Sequence, residues 1–195
     1  MSRIRAMAVG FAVLLLSITT ASAQMPGLPG NTRPINLVVS GGLTVPSSDL
    51  GDLHDTGLHF DASLLLNIPG FPLAIRPEFS LTRFKLKEPD LTTPDADDVT
   101  NMMAFMGTLE LPLTGGLYVL AGGGILSLSV PGAATTGGAD ETSSRVTFDA
   151  GAGFRFALGV ARGFVEARIG AASYDQGKLG FSKAQFIPVT FGLVF

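Results

Sequence analysis

The stretch Ser144–Ala157 reads Ser-Arg-Val-Thr-Phe-Asp-Ala-Gly-Ala-Gly-Phe-Arg-Phe-Ala, and its alternate positions have opposite chemistry. Val146, Phe148, Ala150, Ala152, Phe154 and Phe156 share one parity, while Arg145, Thr147, Asp149, Gly151, Gly153 and Arg155 share the other. A helix would scatter both sets around its axis, whereas a strand puts each on its own face. The end of the chain repeats the pattern, with Ile187, Val189, Phe191, Leu193 and Phe195 on one face and Thr190 and Gly192 on the other. Residues 58–68 set Leu58, Phe60, Ala62, Leu64, Leu66 and Ile68 against His59, Asp61, Ser63 and Asn67. Extended along the chain, this period predicts eight strands: Ile35–Val45, Thr56–Ile68, Phe71–Lys87, Val99–Pro112, Leu117–Val130, Ser144–Ala157, Gly163–Tyr174 and Lys183–Phe195.

The connections alternate strictly. Segments 46–55, 88–98, 131–143 and 175–182 are long and rich in Gly, Pro, Asp, Ser and Thr, whereas Pro69-Gly70, Leu113–Gly116 and Leu158–Arg162 are short. An all-β, eight-stranded antiparallel up-and-down transmembrane β-barrel has this rhythm, with tight turns on one rim and longer loops on the other. An even strand count returns both ends of the barrel to the same rim.

Composition bounds the function classes. Among 195 residues there is no Cys, which removes disulfides, thiolate nucleophiles and Cys-based zinc sites. Charged residues make up 15% against roughly 25% in ordinary soluble domains, and hydrophobic residues make up 46%. That balance excludes a disordered chain, and a pI of about 5.3 argues against a nucleic-acid partner. Residues 1–23 read as a cleavable signal peptide: Arg3 and Arg5 open it, an apolar run follows, and Ala21-Ser22-Ala23 supplies the cleavage pattern. Its loss removes two arginines and no acids, making the formal charge of −3 more negative by two. The expected organisation is signal peptide 1–23, a periplasmic N-terminal segment 24–34 and a barrel 35–195.

Alternation leaves open which face is outside. The polar parity is small and sparsely charged, and lysine is confined to Lys85, Lys87, Lys178 and Lys183, whereas a water-exposed barrel surface needs many charges. Small residues suit the narrow lumen of eight strands. The charged residues of that parity carry both signs: Asp61, Glu78, Glu110, Asp149 and Glu166 against Arg76, Arg155 and Arg168. They form the expected lumen charge network, since buried charges persist only when paired. Apolar side chains therefore face lipid.

With the signal peptide, the hairpin rhythm and the terminal Val-Thr-Phe-Gly-Leu-Val-Phe, the chain resembles the small outer-membrane β-barrel proteins of the OmpA/OmpX type. The stretch Gly41-Gly42-Leu43-Thr44-Val45-Pro46 leading to Asp49-Leu50 is similar to the first hairpin of many members. The resemblance implies that Val189, Phe191, Leu193 and Phe195 form the signal read by the barrel-assembly machinery. It also implies outer-membrane lipid and lipopolysaccharide as surroundings. There is no Trp, and the tyrosines are Tyr118 and Tyr174, so phenylalanine has to supply the interface rings.

No catalytic, cofactor-binding or metal site is expected. His59 and Asp61 share a face two residues apart, a spacing that can orient a general base, but no serine is placed as nucleophile. Lipid A-modifying barrels carry His and Ser on one strand, and neither His54 nor His59 matches that arrangement. Asp90, Asp95, Asp97 and Asp98 lack EF-hand spacing and read as a solvated acidic loop in preference to a calcium site. Arg83, Lys85 and Lys87 climb one face of the third strand toward the long-loop rim; they read either as cations standing above the bilayer within reach of lipopolysaccharide phosphates or as a solvated extension of the strand. Gly122-Gly123-Gly124 lies inside a strand and lacks the helix and Lys-Ser/Thr of a phosphate loop; close packing is its expected role. The leading expectation is a structural or surface-interaction protein of the outer membrane with exposed loops. The alternatives are a narrow solute channel, a lipid-modifying enzyme and a soluble lipocalin-like binder.

Overall fold

In the computed structural model, residues 33–87, 99–131, 141–159, 161–174 and 183–195 are described. The strands run Ile35–Ser47 (β1), Gly57–Asn67 (β2), Ala74–Lys85 (β3), Val99–Pro112 (β4), Leu117–Val130 (β5), Glu141–Leu158 (β6), Ala161–Ser173 (β7) and Lys183–Val194 (β8). Each pairs antiparallel with the next, and β1 also pairs with β8 from Val38↔Val194 to Ser47↔Gln185. That last ladder closes the sheet, so no strand edge is left with unpaired amides. The fold is an all-β, closed, eight-stranded antiparallel barrel. Residues 1–32, which carry the expected signal peptide, lie outside the described residues, as do 88–98 with its four aspartates.

The elements differ most from the sequence reading at three places. β3 starts at Ala74, because Pro69, Gly70 (φ 80°) and Pro72 occupy a turn closed by the Phe71 N–H donating to the Ile68 carbonyl at 3.0 Å. β6 starts at Glu141, inside the expected loop 131–143. Its outward Thr142 and Ser144 hydroxyls bond to Ser129 (3.0 Å) and Ser127 (3.1 Å) of β5, a cross-strand pairing that carries the ladder above the apolar band. The expected loop 46–55 contains a short helix, Asp49–Leu53 (α1).

The inside-out arrangement is explicit. Phe60, Phe105, Ile125, Phe148, Ile169 and Phe191 are each more than half exposed on the outer face. On β5 the outward apolar positions run from Leu117 to Ile125 before Ser127 and Ser129 take over. That is roughly 26 Å along the strand, or about 20 Å once a strand tilt of about 40° is allowed for. The lipid-facing band of such barrels is about 25 Å tall, so this stretch spans most of it. Arg83 and Lys85 are exposed on the outer face of β3, directly beyond Leu81. Lys87 lies past the strand end and donates from Nζ to the Gly51 carbonyl at 2.5 Å, so it serves the loop.

The interior departs from the uniformly polar lumen that the alternation suggested. On the long-loop side it is apolar: Phe84, Met102, Met106, Leu126, Leu128 and Phe186 form one buried cluster, which Leu50 of α1 completes from above with no exposed surface. On the short-turn side Val38, Leu65, Ala74, Phe164 and Val194 form a second. The charged residues lie largely between them. β4 and β5 carry apolar side chains on both faces here, a pattern that alternation does not register.

Candidate functional site

The charged layer is assembled from five strands. β2 supplies Asp61, β3 supplies Arg76 and Glu78, β4 supplies Glu110, β6 supplies Asp149 and Arg155, and β7 supplies Glu166 and Arg168. All eight point into the barrel, and the structure brings them together. Arg76, only 1% exposed, reaches Glu166 with Nη1 at 2.8 Å and Nη2 at 3.4 Å, while its Nε donates to Ser63 at 3.1 Å. Glu78, Glu110 and Asp61 lie at 3.4, 3.8 and 3.9 Å from the same guanidinium. Arg155 grips Glu110 with two nitrogens, at 2.5 and 2.6 Å, and covers the Tyr118 ring at 4.3 Å. Arg168 holds Glu78 with both Nη atoms at 2.5 and 2.8 Å, donates Nε to Glu166 at 2.6 Å, and reaches Asp149 at 2.9 Å. The forked geometry matches guanidinium to carboxylate, which is the arrangement in which a dry ion pair is least unfavourable.

Neutral side chains complete the layer. The Tyr118 hydroxyl donates to Glu166 at 2.7 Å, and the Ser40 hydroxyl donates to Asp61. Tyr118 fits only because its neighbour across the ladder is Gly153: a Cβ there would come within 2.2 Å of Tyr118 Cζ. Gly124 is required by a similar approach, since a Cβ would lie 2.0 Å from the Phe105 carbonyl. The glycine run in β5 is thus a packing device.

His59 does not form a dyad with Asp61. Its Nδ1 meets the Thr82 hydroxyl at 2.7 Å, while Nε2 stays 3.9 Å from the carboxylate. Ser40, the nearest hydroxyl to Asp61, is bonded to that carboxylate and not to the imidazole. Among the described residues no group of three or more His or acidic side chains converges as a metal site. The outward face of β8 carries Val189, Phe191 and Leu193, and Phe195, just past its end, exchanges backbone hydrogen bonds with Leu37 at 2.9 and 3.2 Å.

His54, which in the sequence only fails to match a lipid A-modifying arrangement, is buried in the structure. It follows α1, is 1% exposed, and packs edge-on against Phe84 with ring centroids 5.9 Å apart. The Leu50 carbonyl can only accept, so Nδ1 carries the proton and donates at 3.1 Å, leaving Nε2 to accept from the Thr100 hydroxyl at 2.7 Å. Backbone bonds from Asp55 to Lys85 (2.9 Å) and from Lys87 to Leu53 (3.0 Å) fasten the segment to β3. Burial lowers the imidazole pKa, the Leu50 carbonyl opposes this, and Lys87 adds to the lowering. An unfolded His54 takes up a proton near its ordinary 6.5 while the folded one resists, so the contribution is complete above that pH and is lost as the pH falls below it. Stability of wild-type barrel is expected to decline from pH 7.5 to 5 more steeply than that of His54→Phe, measured by urea titration in micelles. Equal slopes in the two proteins would dismiss His54 as the source.

No protein-family model and no curated protein sequence matches the chain. Solved structures do. Neisserial surface protein A superposes with a TM-score of 0.58 at 14% identity, covering 83% of this chain and 96% of that one. Ail, the attachment invasion locus protein of Yersinia pestis, gives 0.49 at 16% identity over 84% of this chain and 100% of its own. The N-terminal β-barrel domain of Pseudomonas aeruginosa OprF gives 0.48 at 10% identity over 85% and 100%. At 14% identity the first likeness is one of fold. At that level the expected resemblance stands: the chain has the fold of the small eight-stranded outer-membrane barrels.

Proposed function

We propose that this chain is an integral outer-membrane protein of a Gram-negative-type cell, with a structural or surface-interaction role and no catalytic one. The observation that carries the reading is the inversion of burial: an outward apolar band surrounds arginines and carboxylates that are shielded inside and largely paired with one another. A water-soluble binder would need the reverse. The charged layer works as an internal brace, and the apolar clusters above and below it favour a sealed barrel over a solute channel. His59 and Asp61 stay 3.9 Å apart, and Ser40 bonds the carboxylate and not the imidazole, which favours a non-enzymatic role.

In this reading residues 1–23 direct export, and the outward Val189, Phe191, Leu193 and Phe195 present the signal for the barrel-assembly machinery. The long loops face outward from the cell. Arg83 and Lys85, exposed just beyond the apolar band, contact the phosphates of outer-leaflet lipopolysaccharide. The test is fractionation followed by electrophoresis with and without boiling. The protein is expected in the outer-membrane fraction, resistant to salt extraction, and migrating faster unboiled because a closed barrel stays compact in detergent. Recovery from the aqueous periplasm, or identical mobility in both lanes, would overturn the reading.

A further inference from the structure

Sorting the buried charges into pairs leaves two carboxylates over. Glu110 is taken by Arg155, Glu78 by Arg168 and Glu166 by Arg76, each through two guanidinium nitrogens. Asp149 shares the already committed Arg168 through Oδ2, and Asp61 has Arg76 only at 3.9 Å. The two side chains are 8% and 4% exposed, and Oδ1 of each accepts no hydrogen bond among the described residues. Both line the same interior cavity, which adjoins the hydroxyls of Ser80, Thr147 and Thr190 and offers about 30 Å³ to the centres of water-sized particles. Burying a carboxylate without a compensating charge is strongly unfavourable, so something positive belongs there.

We propose that this cavity is a binding site for one small monovalent cation, of the alkali or ammonium type, held between Asp61 and Asp149. The size fits a small ion with one or two waters, because one water-sized particle occupies about 10–15 Å³ on this measure. A divalent ion is disfavoured: no group of three or more His or acidic side chains converges among the described residues, and such ions demand more charged oxygens. A larger organic cation has no room. The cavity's other wall, with Met102, Met106 and Phe186, belongs to the apolar cluster that Leu50 closes. The ion is therefore captured as the barrel folds and exchanges slowly afterwards.

The test refolds the full chain from urea into micelles at pH 7.5 in sodium, potassium, ammonium or N-methylglucamine chloride at equal ionic strength. At one hundred times its dissociation constant, a cation that fits is expected to raise the folded-to-unfolded ratio about a hundredfold over N-methylglucamine. The double variant Asp61→Asn with Asp149→Asn is expected to lose that dependence. A second measurement needs no variant: protein refolded in radioactive sodium and desalted into N-methylglucamine should retain close to one equivalent. Equal stability in all four salts, salt dependence that survives the double substitution, or no retained sodium would each overturn the proposal. Equal stability would mean that the two carboxyls carry protons instead.

Discussion

Replacing Arg76 by methionine is expected to destabilise the barrel by about 3–5 kcal/mol, the range for removing one partner from a buried ionic network. Methionine retains much of the stem, so little apolar packing is lost. What disappears is the cation that Glu166, Glu78, Glu110 and Asp61 all approach within 3.9 Å. The remaining guanidiniums cannot swing over to replace it, since Arg155 and Arg168 are each already locked on a carboxylate by two nitrogens. Urea unfolding in micelles, followed by circular dichroism because the chain has no tryptophan, measures the loss. Adding Glu166→Gln to the same chain should recover a substantial part of it, because the carboxylate left without its closest cation is then neutral. A loss under about 1 kcal/mol would mean that water screens the layer as it does at a protein surface.

Ala150→Arg is the second large effect. Ala150 faces outward midway along the apolar stretch of β6, beside Ala121 of β5 and Ile169 of β7. An arginine at the midplane of a lipid-facing barrel surface costs about 2–4 kcal/mol, falling to about 0–1 near the interface. Ser127→Arg, outward on β5 just above the band, is the matched control and should be nearly neutral. Refolding into lipid vesicles measures both. If the outer face met water, Ala150→Arg would be harmless and would improve solubility, so a neutral result there would count directly against membrane insertion.

Much of the architecture was legible because it rests on parity. In β6, Thr147, Asp149 and Arg155 fall inward while Val146, Phe148 and Phe154 fall outward, and a period of two survives any uncertainty in where the strand ends. The eight charged residues could be placed on one face for the same reason. Their partnerships could not. Arg76 meets Glu166, and Arg168 meets Glu78, each across 90 residues of chain. The neighbours two apart on one strand do meet, Arg76 with Glu78 at 3.4 Å and Arg168 with Glu166 at 2.6 Å. Yet Arg168 makes its two-nitrogen bond to Glu78 on β3, because facing strands of a narrow barrel come as close as neighbours on one strand.

The layering of the interior was hidden for a different reason. Met102, Ala104, Met106, Leu126 and Leu128 share the inward parity with the charges, but β4 and β5 are apolar on both faces there, so alternation cannot say that the loop-side lumen is greasy. Only the depth of each residue along the tilted barrel, set by register, stacks them together with Leu50 as their cap. His54 illustrates the limit: in sequence it is a lone histidine in a loop, and its burial follows from α1 folding down onto β3 and β4.

The sequence by itself determined the number of strands, their sidedness and the inversion of burial, because each follows from which residue types alternate with a period of two. Tertiary structure alone decided which charges pair, where the interior turns apolar and which two aspartates are left facing a cavity. Those outcomes depend on closure, register and tilt, which fix distances between residues far apart in the chain and leave no mark on local pattern.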